Sequence, residues 1–231
     1  VRSPDASTAS TAVINVRGED RRFIAHAGAN PLLSAEMIPE GLIESASVVY
    51  IGGFLMLDGL ETQAVLERLI RARAAGTRIV LDVVQVADTN AMARLSLILP
   101  YTDVFLPNND EAAELTGCCN PWDQAAAFRT AGARTVVITS GDRGAHLVSD
   151  TERLRIDAYR TQCKGSTGAG DAFDAGFIAA LLDEQDLPTC LRWGSALGAS
   201  CVRSSSATGS VFSRDEALQF MASHPLPIER C

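Results

Sequence analysis

The sequence predicts an α/β fold with a mostly parallel sheet that carries helices on both faces. Strand-like runs rich in Val and Ile alternate with helical segments of about ten or more residues, the pattern of βαβ units. The runs are apolar throughout, which is typical of strands buried on both sides. Apolar residues make up 47% of the 231 residues, enough for the core of one large domain.

The elements follow in chain order, beginning with a hairpin predicted from β-prone runs at 11–16 and 21–26 around a turn at 17–20. Strands are then predicted at 47–51, ended by the glycine pair 52–53, and at 78–84, 103–106, 134–139, 145–149 and 153–158. Helices are predicted from residue 58 to Gly76 and at 88–99, 122–131, 172–182, 187–203 and 214–223. The first and last helices begin at the capping pairs Asp58 with Glu61 and Ser213 with Glu216. No linker follows the hairpin, so we predict a small β unit over 11–30 and one core over 31–231.

Charge and cysteine content exclude several functional classes. With 20 basic and 28 acidic residues the net charge is −8, and no basic run is present, which argues against nucleic acid and anionic membranes as partners. The longest apolar stretch, 48–57, is about half of a membrane span. Six cysteines without CxxC spacing and three isolated histidines indicate neither a metal cluster nor a disulfide framework. A reducing, cytoplasmic location is therefore expected.

The stretch 164–177 is the strongest chemical signal in the chain. It combines Gly165, Gly168 and Gly170 with small hydroxyl residues and runs through Asp171 into an alanine-rich helix. Unpaired amides at a helix start, together with the positive end of the helix dipole, can hold a phosphate. Asp171 itself is either a cap of the first turn or a base that takes a proton from a substrate hydroxyl. Neither GxxxxGK[ST] nor GxGxxG is present, so this is not a Walker or dinucleotide loop.

Two further loops follow predicted strands, where parallel sheets bind ligands. Asn108 and Glu111 begin a helix, and either cap it or hold a hydrated Mg²⁺ through oxygen ligands. The stretch 139–144 contains two glycines and is either an ordinary tight turn or a loop that lets a nucleotide approach the backbone.

These motifs together resemble the ribokinase-like carbohydrate kinases of the PfkB family. The stretch 164–177 is similar to the family's C-terminal signature, Asn108 with Glu111 to its magnesium and phosphate motif, and 139–144 to its nucleotide turn. The resemblance implies a ribokinase-like fold. In that fold the segment 11–30 is the remnant of a small β-lid.

The resemblance also implies an activity, the ATP-dependent phosphorylation of a hydroxyl on a sugar or sugar-like molecule. Asp171 would be the general base. The amides of Gly168, Ala169 and Gly170 would stabilise charge on the transferring phosphoryl group. The chain would be a carbohydrate kinase with ATP and Mg²⁺ as cofactors.

The resemblance extends to the binding residues as well. Glu111 would hold Mg²⁺ directly or through water, beside Asn108. The other residues implied in nucleotide binding are Thr139, Gly141, Gly144, Ser195 and Ser206.

The chain departs from the family pattern at informative places. Members carry a glycine-rich sugar-binding part ahead of the lid strands, and the sequence begins after it, so we expect an N-terminally truncated member. Gly165 stands where an acid is usual, which argues against a monovalent-cation site of the family type. Ser195 stands where an asparagine near the adenine is frequent.

Two hypotheses follow from the sequence. The first is an active sugar kinase. The second is a catalytically weak nucleotide-binding or regulatory homologue that keeps the ATP half of the site. The sequence does not identify the sugar or nucleoside, and it leaves open whether the chain forms a homodimer.

Overall fold

The structure is a computed structural model that describes residues 4–14, 22–84 and 88–231. Its first two strands, β1 (Ser10–Ile14) and β2 (Arg22–His26), form a separate antiparallel ribbon. They agree with the predicted hairpin, whose turn lies outside the described residues. Phe23 and Ile24 of β2 are 53% and 66% exposed, so the ribbon presents apolar side chains to solvent. The division into a lid remnant over 11–30 and a core over 31–231 stays a prediction.

The other strands of the described chain form a seven-stranded sheet, in which they lie side by side in chain order. The first four pair in parallel and the last three are added antiparallel, so the sheet is mixed. The strands are β3 (Val48–Phe54), β4 (Arg78–Val83), β5 (Val104–Phe105), β6 (Thr135–Thr139), β7 (Ala145–Val148), β8 (Arg153–Ile156) and β9 (Ile228–Arg230).

Two details of the sheet differ from the prediction. β3 does not stop at the glycine pair but runs through it to Phe54, because a register shift between Ile51 and Phe54 and a positive φ of 71° at Gly53 absorb the glycines as a bulge. β9 was not predicted at all.

Seven α-helices among the described residues confirm the predicted alternation of strands and helices. They are α1 (Gln63–Ala74), α2 (Ala91–Ile98), α3 (Asn109–Thr116), α4 (Pro121–Thr130), α5 (Ala169–Leu182), α6 (Leu187–Cys201) and α7 (Arg214–Ser223). The capping pair Ser213 and Glu216 is present at the start of α7.

The helices cover both faces of the sheet, which confirms the predicted fold class. Buried side chains of α1, α2, α3 and α4 pack in one core cluster, and those of α5, α6 and α7 in a second. Strand residues alternate between the two: Ile79 and Leu81 enter the first cluster, whereas Val80 between them enters the second. α5 therefore lies on the face to which Val80 points.

The capping pair predicted at Asp58 and Glu61 is wrong. α1 begins later, where the Thr62 hydroxyl accepts a hydrogen bond from the Val65 amide at 3.4 Å. The Arg94 guanidinium instead binds Asp58 at 3.0 Å and Glu61 at 2.6 Å. An ion-pair network with a residue of α2 thus outweighs local capping.

Candidate active site

A cavity of about 500 Å³ lies where the loop after β6, the segment before α5 and the inner faces of α5 and α6 meet. It brings together six residues singled out from the sequence: Thr139, Gly141, Gly144, Ala169, Gly170 and Ser195. Apolar side chains, among them Phe173 and Val202, form part of the wall. The wall of the cavity therefore combines apolar side chains with glycine backbone.

The start of α5 forms one wall of this cavity. Gly168 caps the helix with a φ of 81°, a backbone conformation that favours glycine. The Ala172 amide donates to the Gly168 carbonyl at 2.9 Å, so the amides of Gly170 and Asp171 belong to the first turn, where amides have no acceptor within the helix. The Ala169 amide already donates to the Ser166 carbonyl at 3.2 Å. Asp171 is exposed in the same turn, beside the cavity.

The loop 204–209 packs against this helix start. A methyl group on Gly168 would lie 2.7 Å from the Ala207 carbonyl oxygen, so only glycine allows the two loops to approach so closely. Ser206 lies within this loop, where its amide donates to the Ser204 hydroxyl at 3.0 Å, and it is not among the residues that line the cavity.

Asn108 and Glu111 are joined by a reciprocal capping box at the start of α3. The Asn108 side chain accepts from the Glu111 amide at 2.9 Å, and the Glu111 carboxylate accepts from the Asn108 amide at 2.9 Å. A backbone bridge then connects Asn108 to Thr139, at the edge of the large cavity. The structure therefore places the α3 motif next to the β6 loop.

Glu111 also faces a second cavity of about 440 Å³, lined in part by Val83, Val84 and Met92. Within the described part of the chain, no three His, Cys, Asp or Glu side chains converge to hold a metal by themselves. The oxygen donors at Glu111 fit a Mg²⁺ ion that takes one carboxylate and fills its other positions with phosphate oxygens and water.

Behind the helix start lies an acidic residue that the sequence analysis did not single out. Asp174 of α5 is 2% exposed, and its carboxylate accepts a hydrogen bond from the Tyr50 hydroxyl at 2.8 Å. Burial raises the pKa of Asp174, and the charges of Asp171 and Glu111 raise it further, against the opposing hydrogen bond from Tyr50. Burial and the Asp174 charge likewise raise the pKa of Asp82.

A spacing signal could have identified Asp174. Residues 173, 174, 177 and 180 are all buried in α5, so Asp174 lies on the apolar stripe of the helix. An acid on such a stripe is a candidate for a functional or strongly paired group.

A family model described as pfkB family carbohydrate kinase matches residues 1–213 of the chain. The chain belongs to this family. Ribokinase from Haemophilus influenzae is one PfkB relative, 29% identical over 212 residues that cover 89% of this chain and 66% of that protein.

Solved structures show the same likeness. A ribokinase II from E. coli in complex with ATP and Mg²⁺ is 25% identical to this chain, with a TM-score of 0.80. The match covers 96% of this chain and 73% of the E. coli chain. Ribokinase from Giardia lamblia is 22% identical, and the match covers 95% of this chain and 72% of the Giardia chain. Its TM-score of 0.82 shows the ribokinase-like fold.

The PfkB chain described here spans about two thirds of the length of such relatives, 66% of the Haemophilus protein. None of the helices in the described ranges is long and apolar enough to cross a membrane.

Proposed function

We propose that this PfkB chain is the nucleotide-binding and catalytic part of an ATP-dependent kinase that phosphorylates a hydroxyl of a sugar or sugar-like small molecule. The observation that carries the proposal is the single cavity shared by the β6 loop, the start of α5 and α6. The nucleotide turn ends at Gly144 and the glycine loop begins only at Lys164, yet both contribute to its wall.

The nucleotide would lie with its base against the apolar wall and its phosphates toward α5. Phe173 and Val202 offer apolar surface, and Ser195, 8% exposed on the same wall, offers a hydroxyl. Gly141 and Gly144 allow the ribose or phosphates to approach the backbone of the β6 loop. Ser206 would act through its loop, which holds the start of α5 in place.

Phosphoryl transfer would take place at the start of α5. The Gly170 amide and the helix dipole would stabilise the charge on the transferring group. Gly168 and Ala169 would contribute mainly by shaping this turn, since the Ala169 amide is already paired. Asp171 would orient the acceptor hydroxyl and take its proton, which in a loose phosphoryl transfer can leave late.

Bound Mg²⁺ would supply positive charge at the phosphates. Glu111 would hold it directly or through water, and Asn108 would fix Glu111 through the capping box. The E. coli ribokinase II with ATP and Mg²⁺ supports these cofactors, and the Haemophilus ribokinase supports a sugar acceptor. The acceptor panel described below identifies the sugar.

A second candidate is a nucleotide-binding homologue of weak activity. The capping box favours it, because helix capping alone accounts for Asn108 and Glu111. Turnover distinguishes the two candidates.

The deciding experiment is Asp171→Asn in the protein that carries this sequence. ADP release is measured with a panel of ribose, fructose, nucleosides and keto-deoxy acids, and with the best acceptor kcat should fall by a factor on the order of 10² or more. Affinity for ATP should change little. The matched control is Asp215→Asn, which neutralises an exposed acid in the first turn of α7 and should leave turnover unchanged. Near-normal turnover of Asp171→Asn would refute the base assignment.

A further inference from the structure

The inference concerns the buried acid beneath the start of α5. Asp174 follows Asp171 by three residues, so the two carboxyl groups lie about one helical turn apart. Asp171 is exposed, whereas Asp174 is 2% exposed. α5 thus presents Asp171 toward solvent and Asp174 toward the sheet.

Two side chains of the sheet carry oxygen atoms on the face that α5 covers, the Tyr50 hydroxyl and the Asp82 carboxyl. Tyr50 of β3 is paired in register with Val80 of β4, and Val80 points into the core cluster under α5. Asp82 lies two residues after Val80 and therefore projects from the same face. Tyr50 is 39% exposed, and its hydroxyl donates to Asp174 Oδ2 at 2.8 Å.

Tyr50 of β3 is hydrogen-bonded to Asp174. Three acids interact with it electrostatically: Asp171 of α5 and Glu111 of α3 act on Asp174, and Asp174 acts on Asp82 of β4. A carboxylate that is buried among other carboxylates is costly to ionise, since both desolvation and like charges favour the protonated form. A negative charge at this depth would also repel the phosphates that the α5 start is proposed to bind.

We propose that Asp174 is a positioning residue held in its protonated, neutral form, which ties the first turns of α5 to β3 through Tyr50 and keeps negative charge away from the anion-binding start of the helix. The neutral form of Asp174 and its tie to Tyr50 concern the chain itself. The effect on the anion-binding start of α5 rests on the proposed function. Because Oδ2 accepts from Tyr50, the retained proton belongs on the other oxygen, Oδ1.

The test compares wild type with Asp174→Asn, an amide of nearly the same shape that accepts from Tyr50 but cannot ionise. Thermal unfolding of the unliganded chain is followed from roughly pH 5 to 9. The native pKa of Asp174 is raised above its ordinary value of 3.8, so in this range Asp174 holds a proton in the folded state that it loses on unfolding. Asp174 should therefore make wild-type stability fall as pH rises, by up to about tenfold in the folding constant per pH unit. Asp82, whose pKa is also raised, adds to the fall in wild type and variant alike.

Asp174→Asn should show a flatter decline and a higher melting temperature than wild type at the alkaline end. Tyr50→Phe removes the hydrogen bond, and should lower the melting temperature while keeping at least the wild-type slope, because the bond that it removes lowers the pKa of Asp174. Asp215→Asn, the exposed acid of α7, should follow wild type throughout. Parallel slopes for wild type and Asp174→Asn would overturn the proposal.

The link to the anion site is tested by affinity for a non-hydrolysable ATP analogue with Mg²⁺ over the same pH range. Taking the ratio of the two affinities cancels the titration of the analogue. Asp174→Asn and wild type should bind equally at the acidic end, and the variant about 3- to 10-fold more tightly at the alkaline end. A ratio independent of pH would overturn this half. If wild type binds no analogue at any pH, the proposed function fails, and the thermal slopes still decide whether Asp174 holds a proton.

Discussion

Replacing Gly170 with alanine separates folding from phosphate binding at the start of α5. Apart from its chain neighbours and the backbone of its own helix, the Cβ of the new side chain would meet no atom of the described residues within 4 Å, and the residue lines the large cavity. The methyl group therefore enters the space that a phosphate would occupy above the amide.

The two expected effects have opposite signs. In a helix, alanine is more favourable than glycine by about 0.5–1 kcal/mol, so Gly170→Ala should raise the melting temperature by roughly 1–4 °C. A methyl that displaces a phosphate from a charge-assisted hydrogen bond should cost about 1.5–3 kcal/mol, a loss of roughly 10- to 100-fold in affinity. Differential scanning calorimetry and titration with a non-hydrolysable ATP analogue measure these two quantities.

The matched control is Ala175→Gly, which removes a methyl from an exposed position of the same helix. It should lower the melting temperature by a similar amount and leave nucleotide affinity unchanged. If Gly170→Ala binds the analogue as tightly as wild type, the phosphates do not approach this amide and the assignment of the α5 start is wrong.

Two other predictions test the cavity and the loop network. Cys163 is exposed in the cavity wall, so an ATP analogue at about ten times its Kd should slow the alkylation of this thiol about tenfold. The exposed Cys231 should react at its usual rate, and mass spectrometry measures both thiols. Equal protection of the two thiols, or protection of neither, would contradict the nucleotide site. Arg94→Met leaves the Glu61 carboxylate, 8% exposed, without its cation, and should cost about 2 kcal/mol or roughly 4–8 °C in melting temperature. Arg71→Met, at a 57% exposed ion pair, should cost less than about 1 kcal/mol, and a similar loss in both variants would refute the special role of Arg94.

The sheet was predictable where burial makes a strand apolar throughout. The run at 78–84 corresponds to β4, whose residues enter core clusters on both faces. β9 was missed because it is three residues long, contains Glu229 and Arg230, and is stabilised by pairing with β8 rather than by burial. A pattern that short carries no periodicity to detect.

The site was predictable only as separate loops. Glycines and capping residues mark the loops after strands, but their meeting in one cavity depends on the order of strands in the sheet. Asp174 and Tyr50 are 124 residues apart, and no local pattern connects them. The Asp58 and Glu61 prediction failed for the same reason, since Arg94 lies 36 and 33 residues away.

The strand order of the large sheet has a consequence for assembly. Because neighbours in the sheet are also neighbours in the chain, each strand from β4 to β8 joins the strand that directly precedes it, whereas β9 joins only after α5, α6 and α7. Such a sheet can grow from β3 onward as the polypeptide leaves the ribosome. The tie between Tyr50 and Asp174 instead spans more than half of the chain, so the first turn of α5 is secured only after nearly every strand is in place. Incomplete chains would therefore hold a formed sheet without a competent site.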